Sequence, residues 1–110
     1  MILILNLFTR NYFSAVGSAP NVQISPKTLS VTEGQVAEFK CTASGNPQPS
    51  VGWARVDVGL PKSSTKIDGV LRIDPTSLDD DGTYVCTAAN RFGAVADNAV
   101  LTVEKGMNIF

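Results

Sequence analysis

Three consecutive carboxylates, Asp79-Asp80-Asp81, and two cysteines, Cys41 and Cys86, are the residues of this sequence whose types could do chemistry. A carboxylate cluster suits a hard cation or acid–base catalysis. A cysteine pair suits a soft metal, a nucleophile or a disulfide. Histidine is absent, which removes the commonest metal ligand and the general base best matched to neutral pH. Two cysteines without histidine cannot complete a tetrahedral zinc site of the common kinds. Ser and Thr hydroxyls are plentiful, but a hydroxyl needs an activating base, and no glycine-rich phosphate cradle accompanies them. Calcium wants about six to eight converging oxygens, whereas successive aspartates in an extended corner splay apart. The expectation is therefore no catalytic residue, no cofactor and no bound metal. The cysteines leave two readings open, a disulfide or, in a reducing compartment, two buried thiols.

The elements that must position these residues are strands. Turn signals recur from Asn21 onward ("SPK", "EGQ", "SGNPQPS", "GLPKSS", "DDDG", "RFG"), with short alternating stretches between them. That spacing argues for an all-β sandwich or barrel. Successive side chains on a strand face opposite ways. In "VAEFKCTA" the inward set is Ala37, Phe39, Cys41 and Ala43, with Glu38, Lys40 and Thr42 facing water. "SVGWAR" places Val51 and Trp53 together, "VLRID" turns Leu71 and Ile73 inward, and "TYVCTAAN" does the same for Tyr84, Cys86 and Ala88. "NAVLTVE" adds Ala99, Leu101 and Val103. Both cysteines fall in inward sets of separate strands, as a bridge between two sheets requires.

Bulk properties agree with one globular domain. The chain has 110 residues, 44% hydrophobic and 17% charged, with a net charge of −1, and that length buries one modest core. No basic run could track phosphates, so nucleic acid is not an expected partner. No apolar stretch is long enough to span a bilayer. No Asn-x-Ser/Thr sequon occurs, so N-glycosylation is not expected. The opening "MILILNLFTRNYFSAVGSAP" has an apolar run, Ile2 to Phe8, and small residues at Ala15 and Gly17. Residues 1–18 read either as a signal peptide or as a leader outside the domain, residues 19–104 as the domain, and residues 105–110 as a tail.

Taken together, Cys41, Trp53, Tyr84 and Cys86 resemble the core of an immunoglobulin domain. The stretches "EGQVAEFKCTASGNPQPSVGW", "LRI", "DDDGTYVCTAANRFG" and "AVLTV" are similar to the intermediate set of that family, over Ala19 to Glu104. The middle, "WARVDVGLP" then "DGVLRI", looks most like the repeated immunoglobulin modules of perlecan-type basement membrane proteoglycans. The resemblance implies a two-sheet antiparallel sandwich with a Cys41–Cys86 bridge packed beside Trp53, and Leu71 in the core. It also implies a corner in which the Tyr84 hydroxyl bonds backbone upstream. There Asp80 accepts hydrogen bonds from backbone or from Lys62, Lys66 or Arg72, and Gly82 takes a backbone shape that a side chain would oppose. Asp79 and Asp81 are then expected to be solvated.

Such a module binds proteins rather than turning over substrates. The family implies an extracellular interaction or structural module of a matrix or cell-adhesion protein, secreted and disulfide-bonded. The alternative is a structural module of an intracellular muscle-type scaffold. The expected partners are matrix proteins, cell-surface proteins or neighbouring modules, with weak self-association. Around Trp53 and Tyr84 the outward positions Gly52, Ala54, Val56, Val85, Thr87 and Ala89 are small and uncharged. Of these Ala54, Val56, Val85, Thr87 and Ala89 form the candidate interaction face, against the plainer reading of scattered surface aliphatics.

Overall fold

The computed structural model describes residues 16–107. The apolar run Ile2 to Phe8 lies outside the described residues. Eight strands follow in order: β1 (Ser18–Ser25), β2 (Thr28–Thr32), β3 (Ala37–Asn46), β4 (Ser50–Arg55), β5 (Ser64–Ile67), β6 (Val70–Ile73), β7 (Gly82–Asn90) and β8 (Gly93–Glu104). A 3₁₀ turn, Leu78–Asp80, precedes β7. One sheet has the order β1-β3-β6-β5 and the other β2-β8-β7-β4. All neighbours are antiparallel except β2 and β8, which run parallel. Of the sandwich or barrel that the alternation allows, this is the sandwich, as the family resemblance implies.

The inward sets meet between the sheets. Ala37, Phe39, Leu71, Ile73, Tyr84, Cys86 and Ala88 are fully buried, and Ile24, Ala99, Leu101, Val103, Cys41 and Trp53 nearly so. Phe39 lies between Trp53 and Tyr84, with ring centroids 6.4 and 6.0 Å away, within the range where aromatic pairs attract. Cys41 of β3 and Cys86 of β7 are joined by a disulfide across the sheets, with Cα atoms 6.4 Å apart. Trp53 pairs with Cys86 in the β4–β7 ladder, which sets the indole beside the bridge. Its Nε1–H donates to the Gly69 carbonyl at 3.2 Å.

Asp68 and Gly69 make the two-residue turn from β5 to β6, with φ of 52° and 80°. Both values are positive, as a tight hairpin turn of this hand requires. A Cβ on Gly69 would lie 2.6 Å from the Cys41 carbonyl oxygen, so the turn sits close against the strand carrying the bridge.

Three details differ from the alternation. Val51 shares the inward direction of Trp53 yet is 39% exposed, because β4 is an edge strand and, among the described residues, none covers that end. Strand β8 begins at Gly93, five residues before the start of "NAVLTVE". The first strand begins at Ser18, which pairs with Asn46, and the Asn46 side-chain amide donates to the Val16 carbonyl at 2.9 Å. The first strand therefore begins one residue before Ala19.

Candidate interaction surface

The triple aspartate, the first candidate for chemistry, is distributed among three separate tasks. Asp80 is buried. Its carboxylate accepts the Ser77 N–H at 2.8 Å, while the Ser77 hydroxyl caps the 3₁₀ turn in return. The pair is a capping box, two otherwise orphaned donors satisfied reciprocally. Of the two kinds of donor expected for Asp80, the backbone is the one present. Arg72 instead bonds Glu38 at 2.5 Å and Asp74 at 3.4 Å. Asp81 corrects the expectation that it is merely solvated: its Oδ1 accepts the Val103 N–H and ties the corner to β8. Asp79 is exposed and takes part through its backbone.

The Tyr84 hydroxyl donates to the Asp80 carbonyl at 2.7 Å, the corner bond implied by the resemblance. Burial pushes the phenol up to about 12, opposed by the nearby Arg55 cation and reinforced by the Asp80 and Asp81 charges. Gly82 has a φ of 152°, and a Cβ there would lie 3.2 Å from Arg55 Nε. Arg55 is the residue of the corner that sequence reasoning missed. Its Nη2 donates to the Asp79 carbonyl and, at 2.6 Å, to that of Asp81. The guanidinium carbon also stands 5.6 Å from the Tyr84 ring centroid, within cation–π range. Apart from the exposed Asp79 carboxylate, the charged side chains of this corner, Arg55, Asp80 and Asp81, are engaged with the fold itself. No group of three or more acidic or cysteine side chains able to hold a metal occurs among the described residues.

The opposite side of the same strands is different. Cross-strand partners place Ser50, Ala89 and Ala94 in one row, then Gly52, Thr87 and Ala96, then Ala54, Val85 and Asn98. A fourth row joins Thr83, Val100 and Thr28, and Val56 continues β4 beside it through a bond to the Thr83 carbonyl at 3.0 Å. Ala54, Val56 and Thr87 are exposed, and Val85 and Ala89 half-buried. The five candidate residues are thus brought onto one outer sheet face. Ala94, Ala96, Asn98 and Val100 extend it across β8; Ala94 and Ala96 were missed because β8 starts earlier than its alternation shows, and Asn98 and Val100 because only the inward residues of that stretch were followed. No charged side chain stands in these rows. The first is Glu104 at the end of β8, which accepts the Ser30 hydroxyl at 3.0 Å.

Two further polar groups hold the frame around this face. Asp97 accepts the Ile24 N–H at 2.8 Å and pairs with Lys27, at the place where the chain leaves β1 and crosses to the other sheet as β2. The Lys27 hydrogen bond, and then that of Ile24, hold the Asp97 carboxyl below the usual range. Asn90 closes the other end, donating to the Ser18 carbonyl at 2.8 Å and the Pro47 carbonyl at 3.0 Å. Its side-chain oxygen takes the Phe92 N–H at 2.8 Å, the turn chemistry expected of an asparagine there. At the tip Arg91 stands 5.1 Å from the centroid of the exposed Phe92 ring.

Comparison with known proteins places this architecture. Residues 20–103 match the Immunoglobulin I-set domain. Roundabout homolog 1 of Rattus norvegicus is 41% identical over 88 residues, covering 78% of this chain and 5% of that protein. The Basement membrane-specific heparan sulfate proteoglycan core protein of Mus musculus is 40% identical over 90 residues, covering 82% of this chain and 2% of that protein. The chain thus spans a small fraction of the curated relatives it matches. Among solved structures, a Titin M10–Obscurin like 1 Ig complex superposes with a TM-score of 0.73 at 31% identity, covering 84% of this chain and 100% of that one. The tandem Ig repeats of Dlar give 0.73 at 26% identity, covering 86% of this chain and 53% of that one. The bridge, the corner, the strand order and these matches agree: the chain belongs to the immunoglobulin superfamily as an I-set domain.

Proposed function

We propose that this chain is a non-enzymatic extracellular interaction module, of the kind repeated in matrix and cell-adhesion proteins, and that its contact surface is the outer face of β4, β7 and β8. The observation that carries the reading is the absence of charge from four cross-strand rows of that face. The outer face of the other sheet carries Glu38, Lys40, Arg72 and Asp74. Solvated sheet faces ordinarily carry charge, and a broad uncharged face is what a partner's approach would leave. Ala54, Val56, Val85, Thr87 and Ala89 are small or β-branched, so another protein surface can lie flat against them. None is aromatic or Arg, the types that usually anchor tight contacts. Contact is weak for one module and gains strength from repetition along a chain. The Roundabout and basement-membrane relatives support the extracellular setting, against the muscle-type scaffold reading to which the titin neighbour is closer.

Two measurements test this. Non-reducing mass spectrometry of the protein from its native source should find Cys41 and Cys86 oxidised; a reduced pair would move the domain to the intracellular reading. Multivalent display of the domain on cells and matrix of its source tissue should give binding that Val85→Asp abolishes. Binding that survives both Val85→Asp and Ala54→Asp would remove the outer face as the contact surface.

A further inference from the structure

A sandwich of two open sheets has four edge strands, and three of them here are guarded. Strand β1 contains Pro20, is followed by Pro26 and has a register shift between Ser18 and Asn21. Strand β5 is four residues long and carries Lys66. Strand β2 is five residues long, between Lys27 and Glu33, and the β1 crossover is fastened at its start through Asp97. Proline, lysine, irregularity and shortness are the devices by which proteins keep sheet edges from pairing.

Strand β4 has Pro49 just before its start, but none of the first three within the strand itself. Its six residues, Ser50-Val51-Gly52-Trp53-Ala54-Arg55, pair with β7 in unbroken register, and the first five are uncharged. A Cβ on Gly52 would meet nothing within 4 Å. Val51 is 39% exposed although it points to the core side. The direction of the free backbone groups follows from one bond. Val56 N–H donates to the Thr83 carbonyl at 3.0 Å. Hydrogen-bonded and non-hydrogen-bonded pairs alternate along an antiparallel ladder, so Ser50, Gly52 and Ala54 also turn their N–H and C=O toward β7. Those of Val51, Trp53 and Arg55 are aimed away from the sheet.

We propose that the β4 edge is a pairing site for the β4 edge of a second copy of this chain, related by a two-fold axis at Trp53. The register is the one the alternation permits over the whole strand. Only odd-numbered residues offer edge-facing groups, so Trp53 lies opposite Trp53 and Val51 opposite Arg55, twice by symmetry. Each pair exchanges two backbone hydrogen bonds, which satisfies the open N–H and C=O of all three residues in both copies. On the outer side Gly52 then meets Ala54, and neither obstructs the approach. The two Arg55 side chains stand four residues out of register, roughly 13 Å apart at strand rise, so the only charges on the strand do not collide. An isologous contact needs this self-complementarity, and the strand supplies it without a partner of other composition. The result is one continuous eight-stranded sheet. Its buried area is that of a single strand pair, so the contact is transient and depends on many copies for strength. The inference rests on the ladder geometry and stands apart from the assignment of the outer face.

The test is sedimentation of the whole chain with amide exchange followed at rising concentration. Association should slow exchange at Val51, Trp53 and Arg55 together. Val51→Pro removes an N–H aimed at solvent and leaves the bonds to β7, so the dissociation constant should rise tenfold or more. Should that variant fold poorly, Val51→Lys, an inward-pointing edge charge, should give the same loss. Val85→Asp, on the outer face, should leave this association unchanged. A wild type that stays monomeric at millimolar concentration overturns the proposal. So does association lost in Val85→Asp but retained in Val51→Pro. Protection of those three amides only on mixing with the matching Roundabout module, without self-association, assigns the edge to a foreign strand and equally overturns it.

Discussion

The two sides of β7 are nine residues of one strand read in alternation, and they differ in almost everything except their backbone. Tyr84, Cys86 and Ala88 face inward and are fully buried. Tyr84 closes the corner, and Cys86 carries the bridge to β3. Val85, Thr87 and Ala89 face outward into rows with no charge and no engagement in the core. The inner side is dictated by folding, since each residue there is large, bridged or close-packed. The outer side is free of that demand, and under the proposed function its neutrality reflects a partner's approach. Substitutions should separate the two sides, with inner changes costing stability and outer changes costing contact.

The largest effect belongs to the bridge. Replacing Cys41 and Cys86 together with Ala should lower unfolding free energy by about 2–5 kcal/mol, the range for loss of a native disulfide in a small domain. The bridge closes a loop of 45 residues, for which chain entropy alone gives about 4 kcal/mol. Chemical denaturation of the double variant checks it. A loss below about 1 kcal/mol would mean that the aromatic cluster around Phe39 holds the sheets together unaided.

Next come the two side chains that lock the entrance to β7. Arg55→Met keeps the alkyl stem but strands the Asp79 and Asp81 carbonyls, and should cost about 1.5–3 kcal/mol, the scale for hydrogen bonds to a charged group. Tyr84→Phe removes one neutral bond and should cost about 0.5–1.5 kcal/mol without changing the fold. Tyr84 also makes a pH prediction. Its folded pKa, pushed up to about 12, lies above the ordinary tyrosine value of about 10. The folded state therefore holds the proton more tightly, and stability that is intact below pH 10 falls as pH rises from there toward 12. Thermal unfolding at alkaline pH should show this decline in the wild type, and Tyr84→Phe should flatten it. A decline of equal slope in both would assign it to other groups.

How much of this was legible in the sequence depends on whether a residue's partner is a pattern or a place. Phe39, Cys41, Tyr84 and Cys86 were found because alternation gives the direction of a side chain and the family pattern gives its role. Val51 shows the limit of alternation, which tells which way a side chain points and not whether anything covers it. Arg55 could not be read, because its acceptors are two backbone carbonyls in a distant turn. The donor of Asp80 was readable in principle: Ser77-Leu78-Asp79-Asp80 has the spacing of a capping box. The outer face was half visible. Its β7 and β4 residues lie beside strong strand signals, whereas Ala94 and Ala96 follow the Arg91-Phe92-Gly93 turn in a stretch with no marked alternation.

The adjacent aspartates provide a smaller contrast. Asp81→Asn keeps an oxygen for the Val103 N–H but loses its charge, and should cost about 1 kcal/mol or less, while Asp81→Ala should cost about 1–2 kcal/mol by leaving that donor unmet. Asp79→Asn should be silent within about 0.5 kcal/mol, as expected of an exposed position away from such features. Paired melting curves under one set of conditions decide the matter, and equal losses at both positions would dissolve the distinction between them.

The smallest effect on stability should fall on the outer side of β7, and for that reason it is the most informative. Val85→Asp puts a carboxylate one residue from the buried Tyr84 and one from the buried Cys86. A charge pointing inward at either neighbour would unfold a domain of ordinary stability, since an unpaired buried charge costs several kcal/mol. At Val85 the same group points to water, between Ala54 on β4 and Asn98 on β8. Neither neighbour is acidic, so no like charge opposes it across the ladder. The change in unfolding free energy should therefore stay within about 0.5 kcal/mol, with the disulfide and the alkaline behaviour of Tyr84 intact. Thermal unfolding of Val85→Asp beside the wild type measures this directly. A loss of 2 kcal/mol or more would show that the outer face supports the fold after all, and its neutrality would then need no partner to account for it.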